Sequence, residues 1–175
     1  MKKDALKRAR RLKLMLFDVD GVLTDGTLYL SSNGDEIKAF NVLDGHGLKM
    51  LAESGVSVGI LSSRTSSAVE RRARELGISL LRQGASDKAG TLGDMLSESE
   101  LPAEAAGYMG DDLVDLAVMR RCGFAATVPA APHVVRRAAH YVAAAQGGHG
   151  AAREVCEFIM LAQKTLNAAL ARYRA

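Results

Sequence analysis

The sequence predicts an α/β fold in which a doubly wound parallel sheet carries helices on both faces, and three observations predict it. Short apolar runs alternate with segments of helical periodicity between residues 12 and 128. Runs of this kind suit strands buried on both sides, and the alternation suits crossover connections. The first run, Leu12-Lys13-Leu14-Met15-Leu16-Phe17, stops abruptly at Asp18-Val19-Asp20-Gly21, a buried strand ending in acids and glycine. Finally, a chain of 175 residues that is 48% hydrophobic with a net charge of +3 can bury one core, which excludes disorder as a description of the whole.

The elements follow in order. The basic opening, residues 2–11, is a short helix whose charges face solvent. After the first strand, residues 27–30 and 36–40 read as the two strands of a hairpin arm spanning 26–40, with Asn33-Gly34 supplying the positive φ of its turn. Residues 44–53 are helical, 56–61 form an apolar strand, and 66–76 form a helix that Gly77 ends. A short strand at 78–81 precedes a helix at 87–96, then come a strand at 107–110, a helix at 112–121 and a strand at 124–128. A last amphipathic helix follows Gly147-Gly148-His149-Gly150 and runs to Leu166. The expectation is a single Rossmann-like domain, residues 1–175, comprising the core, the hairpin arm and a C-terminal part at 147–175. It contains no repeat, no linker and no cap domain.

Composition excludes several functions. Lys and Arg total 23 against 20 Asp and Glu, and aromatics are 5% with no Trp, so neither a continuous basic surface nor a base-stacking platform is expected. No window approaches the roughly 18 apolar residues of a membrane span. The basic residues Lys7, Arg8, Arg10 and Arg11 stand where a signal peptide would place its apolar stretch. Cys122 and Cys156 lack metal spacing and read as buried apolar residues of a reducing compartment. His46, His133, His140 and His149 likewise lack ligand spacing. A cytoplasmic protein that binds neither nucleic acid nor membrane is expected.

In an open parallel sheet, ligands bind beyond the carboxyl ends of the strands. Asp18 and Asp20 end the first strand, and Asp111, Asp112 and Asp115 follow Gly110, so five carboxylates gather at one edge. Like charges this close raise one another's pKa, and a divalent cation relieves the repulsion. Oxygen ligands without His or Cys favour Mg2+ over zinc. Ser62, Ser63 and Arg64 reach the same edge after the strand at 56–61, as does Lys88 at a helix start. Hydroxyls, helix N-terminal amides and an ammonium group hold phosphoryl oxygens, and with Mg2+ the set points to phosphoryl transfer.

Asp18-Val19-Asp20-Gly21-Val22-Leu23-Thr24, the strand-terminal Ser62, Lys88 and Gly110-Asp111-Asp112-x-x-Asp115 resemble, in order, the four motifs of the haloacid dehalogenase superfamily. Residues 40–47, 83–88 and 147–156 are similar to its capless sugar-phosphate phosphatases, and the resemblance covers about residues 12–166. It implies that Asp18 attacks phosphorus and forms an aspartyl-phosphate, while Asp20 serves as general acid and then general base. Residues two apart on an extended strand point the same way, which suits that pairing. It also implies Mg2+ held by the Asp18 carboxylate, the Asp20 carbonyl and the Asp111 carboxylate, with Asp112 and Asp115 orienting the metal's surroundings and Lys88. Ser62 would bind a phosphoryl oxygen and Lys88 would neutralise charge. Asp20, Asn41, Val42, Leu43, Asp44, Gly45, Lys49, Arg64, Arg72 and Lys88 would bind substrate.

Two departures stand out. Ser62-Ser63-Arg64 replaces the more usual Thr-Gly-Arg, keeping the hydroxyl but losing a loop glycine, and Lys49 stands where Arg is common, leaving a point charge in place of a bidentate clamp. The implied substrate is 3-deoxy-D-manno-octulosonate 8-phosphate of lipopolysaccharide biosynthesis, with a nonulosonic acid 9-phosphate or another sugar phosphate as the alternative. A non-enzymatic phospho-acceptor switch is the alternative of another class, and Asp20 argues against it because a long-lived aspartyl-phosphate gains nothing from an adjacent general acid. Without a cap the phosphoryl pocket of one chain stays open. A homotetramer is expected, with hairpins associating and residues 147–153 covering a neighbour's site.

Overall fold

The computed structural model describes residues 2–34, 36–171 and 173. Among them, six parallel strands form one sheet in the order β5-β4-β1-β6-β7-β8: β1 (Leu14–Phe17), β4 (Ser57–Leu61), β5 (Leu80–Arg82), β6 (Ala106–Met109), β7 (Phe124–Thr127) and β8 (Tyr141–Val142). A second, two-stranded antiparallel sheet pairs β2 (Tyr29–Leu30) with β3 (Glu36–Ile37). The helices are α1 (Lys2–Ala9), α2 (Val42–Glu53), α3 (Ser67–Leu76), α4 (Lys88–Glu98), α5 (Leu116–Arg121), α6 (His133–Ala138), α7 (Ala151–Gln163) and α8 (Leu166–Ala171). α7 packs against α1 and α2, while α5 packs against α4 and α6, so both faces of the sheet are covered.

The chain runs from β1 outward to β4 and β5, then returns to place β6 on the other side of β1. The order of winding therefore reverses at β1, and the crevice beyond its carboxyl end is where such sheets take ligands. All four residues of β1, Leu14 to Phe17, are fully buried, as double-sided coverage requires. Tyr108 and Phe124 are the large aromatic residues of the neighbouring strands β6 and β7, and both are fully buried.

Besides a 3-10 turn at Ala103–Ala105, the structure adds β8 and α6 to the elements predicted. β8 has two residues and α6 has six, each too short to show a period, and Pro132 at the start of α6 reads as a loop signal. The expected helix at 112–121 is split into a 3-10 turn at Leu113–Asp115 and α5, because Asp112 and Asp115 bond each other's backbone and tighten the first turn. The C-terminal helix is broken in two where Lys164 adopts a left-handed conformation. The hairpin strands are shorter than expected. Gly34, at φ +86°, is the only one of the expected pair in the left-handed region, and Gly34 N–H donates to Ser31 O at 3.1 Å. Asp35 lies outside the described residues. Both cysteines are buried, which pushes their thiols well above the ordinary range. Among the described residues no helix is long and apolar enough to cross a membrane.

Candidate active site

The loop after β1 is folded around two residues. Amides of Val22, Leu23 and Thr24 all donate to Val19 O, and the Thr24 hydroxyl accepts from Gly21 and Gly26 amides. This curl leaves Asp18, 7% exposed, and Asp20 facing a cleft of about 300 Å3 lined also by Gly26, Ser62, Ser63, Arg64, Lys88, Asp111, Asp112 and Val114. Gly21 is required here: its φ is +88°, and a Cβ would stand 2.1 Å from Asp111 Oδ2.

Lys88, the first residue of α4, is carried in by Asp87, whose carboxylate caps the helix through the Ala89 and Gly90 amides. Its ammonium group is buried and donates to Asp18 Oδ2 at 2.7 Å, Asp115 Oδ1 at 2.7 Å and the Tyr108 hydroxyl at 3.0 Å. The Tyr108 hydroxyl in turn donates to Asp115 Oδ1 at 2.7 Å. Burial works against the charge on Lys88, yet the carboxylates of Asp18 and Asp115 outweigh it and raise its pKa.

One carboxylate oxygen from each of Asp18, Asp111 and Asp115 lies within 4.8 Å of the others. Asp115 is committed to the protein: Oδ1 takes Lys88 and Tyr108, and Oδ2 takes the amides of Asp111 and Asp112 at 2.9 and 3.1 Å. Asp18 Oδ1 accepts from the Val19 amide at 2.7 Å, and among the described residues no group donates to the Asp111 carboxylate. Burial and then the Asp115 charge raise Asp18 to about 6 against the pull of Lys88, and burial followed by the charges of Asp18, Asp115 and Asp112 raises Asp111 to about 7. Two acids with such elevated values and lone pairs to spare fit a hard divalent cation, which the carboxylates of Asp18 and Asp111 could hold.

Ser62 is buried at the end of β4, and its Oγ accepts from the Arg64 amide at 3.3 Å. Ser63 keeps a φ outside the left-handed region, so this loop needs no glycine there. Asp112 is exposed and caps the 3-10 turn through Leu113 N–H.

The predicted substrate residues divide. Asp20, Arg64 and Lys88 line the cleft, but Asn41, Asp44, Gly45 and Arg72 gather around a separate apolar crevice with Leu23, Phe40 and Leu48. Asn41 caps α2 through the Leu43 amide and donates to Gly148 O. Asp44 is 2% exposed, with its oxygens taken by the Gly150 and Arg153 amides at 3.1 and 2.9 Å, so in a single chain it caps α7. Val42, Leu43 and Lys49 are exposed on α2 and line neither cavity.

Residues 147–153, expected to cover a neighbour's site, also make contacts within their own chain: Gly148 N–H donates to Val22 O at 3.0 Å, and a Cβ at Gly147 would stand 1.9 Å from Gly21 O. It braces the loop that carries Asp20. Two residues of the site were not anticipated, Tyr108 beneath Lys88 and Lys38, whose ammonium donates to Asp20 Oδ1.

No family model matches the chain. The 3-deoxy-D-manno-octulosonate 8-phosphate phosphatase KdsC of Yersinia pestis is 42% identical over 166 residues, covering 95% of this chain and 89% of that protein. Among solved structures, that of 3-deoxy-D-manno-octulosonate 8-phosphate phosphatase from Moraxella catarrhalis, in complex with magnesium ion, phosphate ion and KDO, is 40% identical with a TM-score of 0.96 and covers 99% of each chain. A probable YrbI family phosphatase from Pseudomonas syringae is 51% identical with a TM-score of 0.97, covering 99% of this chain and 98% of that one.

Proposed function

The chain belongs to the 3-deoxy-D-manno-octulosonate 8-phosphate phosphatases of the haloacid dehalogenase superfamily, and from that premise we propose how its residues divide the work. It is a phosphoric monoester hydrolase that releases phosphate from 3-deoxy-D-manno-octulosonate 8-phosphate in lipopolysaccharide biosynthesis, with Mg2+ as cofactor. The observation that carries the assignment of roles is the convergence of Asp18, Asp111 and Lys88 at the carboxyl end of β1.

Asp18 Oδ1 or Oδ2 attacks phosphorus in line, the bond to the sugar oxygen breaks, and the carboxyl proton of Asp20 passes to that oxygen. Asp20, now ionised, takes a proton from a water that attacks the aspartyl-phosphate, and inorganic phosphate leaves as Asp18 is restored. The Asp18 and Asp111 carboxylates and the Asp20 carbonyl would hold Mg2+, which would supply positive charge against the phosphoryl oxygens. Lys88 fixes Asp18 while its own charge is held by Asp115 and Tyr108. Ser62 offers a hydroxyl to a phosphoryl oxygen, and Arg64 faces the departing sugar.

The proposed working form is a cytoplasmic homotetramer. Leu28, Tyr29, Leu30 and Ile37 on the hairpin arm and Val42 and Leu43 on α2 are all exposed, an apolar surface that suits a second copy of the chain. Such a neighbour would cover the cleft and could bring Asn41, Lys49 and Arg72 to the substrate's carboxylate. Phosphate release from 3-deoxy-D-manno-octulosonate 8-phosphate, a nonulosonic acid 9-phosphate and hexose phosphates, each with and without EDTA, tests the substrate. Sedimentation tests the assembly, and full activity in a monomer would refute it.

A further inference from the structure

We propose that Lys38 is a positioning residue for Asp20, so that the hairpin arm sets the aim of the acid–base carboxylate. The inference rests on the role given to Asp20 above. Lys38 follows β3, and its side chain is only 3% exposed. Its ammonium group donates to Asp20 Oδ1 and pairs with Glu36 Oε1 at 3.0 Å. Arg64 faces the same two carboxylates from the loop after β4, with Nη2 at 3.0 Å from Glu36 Oε1 and Nε at 3.6 Å from Asp20 Oδ2. Two cations and two carboxylates thus alternate at the mouth of the cleft, joining the hairpin to two catalytic loops.

The two cations are not equivalent. The Arg64 side chain is half exposed, so its hold on Asp20 is mobile and screened by water. Lys38 is desolvated, and a charge-assisted hydrogen bond in that setting fixes the carboxylate it meets. Asp20 must deliver its proton to one oxygen, and small displacements of a reacting group cost large factors in rate.

Leaving-group dependence separates aiming from mere support. A sugar alkoxide needs a proton as it departs, whereas p-nitrophenolate leaves without one. Single-turnover rates with Mg2+ are measured for 3-deoxy-D-manno-octulosonate 8-phosphate and for p-nitrophenyl phosphate, in the wild-type enzyme, Lys38→Met, Lys38→Arg and Asp20→Asn. Lys38→Met is expected to lose on the order of 10²-fold on the sugar phosphate and less than about threefold on the aryl phosphate, with Lys38→Arg restoring most of the loss. If Lys38→Met does not fold, Lys38→Gln/Glu36→Gln, which removes one charge of each sign, gives the same reading. Equal losses on the two substrates, or no loss on either, would overturn the proposal. If Asp20→Asn itself shows no leaving-group contrast, the role of Asp20 fails first and the inference with it.

Discussion

Lys88 Nζ lies 2.7 Å from Asp18 Oδ2, and the same ammonium group lies 2.7 Å from Asp115 Oδ1. A single buried cation therefore keeps two buried carboxylates apart. Lys88→Met leaves them facing each other, and the loss of one partner of a buried pair costs about 3–5 kcal/mol. The expected result is a large fall in melting temperature together with an activity loss of at least about 10²-fold. Lys88→Met/Asp115→Asn, which removes one charge of each sign, should regain stability but no activity. Thermal melts and phosphate release read both, and an active double variant would contradict the placement of Lys88 at the reacting group.

Asp18→Asn removes one of three crowded acids while leaving the Lys88–Asp115 pair intact. Turnover should vanish and the metal-free melting temperature should not fall, since a repulsive charge has gone. More than a trace of phosphate release by this variant rules out Asp18 as the nucleophile. Asp20→Asn should retain the fold and slow both half-reactions.

The strand ends were legible because their chemistry is local in sequence: Asp18 and Asp20 share one loop, and Asp111, Asp112 and Asp115 share another. Asp115 differs from its neighbours in a way the sequence does not show, since both of its oxygens accept hydrogen bonds from the protein. Lys38 was missed because its partner lies 18 residues away across a hairpin, although Glu36 and Lys38, two apart in an extended segment, share a face. Tyr108 was missed because a tyrosine in an apolar strand reads as core, and only the fold reveals that its hydroxyl lies under Lys88. Asp44 has a second set of partners that its motif does not reveal, since within one chain its carboxylate accepts from the Gly150 and Arg153 amides at the start of α7.

The elevated acids make metal binding pH-dependent. Asp18 at about 6 and Asp111 at about 7 stand above the ordinary aspartate value of 3.8, so the folded protein holds more protons than the unfolded chain between about pH 4 and 7. The contribution of these two acids to the stability of the metal-free protein therefore falls as pH rises through that window. Mg2+ competes with those protons. Its affinity, and the rise in melting temperature it produces, should both increase from pH 5.5 to pH 7.5. Titration calorimetry and melts at three pH values read this, and a flat or inverted trend would refute the pairing of Asp18 with Asp111.

Ser63 and Gly21 make opposite predictions about the two loops that meet at the cleft. Ser63 stands outside the left-handed region, so Ser63→Gly relieves nothing in the folded state and loosens the unfolded chain. It should change kcat/KM by less than about twofold and cost about 0.5–1 kcal/mol of stability. Gly21→Ala meets two obstacles at once, a φ of +88° and a Cβ 2.1 Å from Asp111 Oδ2. Either the loop uncurls and moves Asp20, or Asp111 swings away from Asp18. Both routes should lower Mg2+ affinity at least about tenfold and reduce phosphate release with it. Calorimetric titration with Mg2+ separates the two variants, and a Gly21→Ala enzyme with wild-type affinity would show that Asp111 is not held at the metal by the packing of this loop.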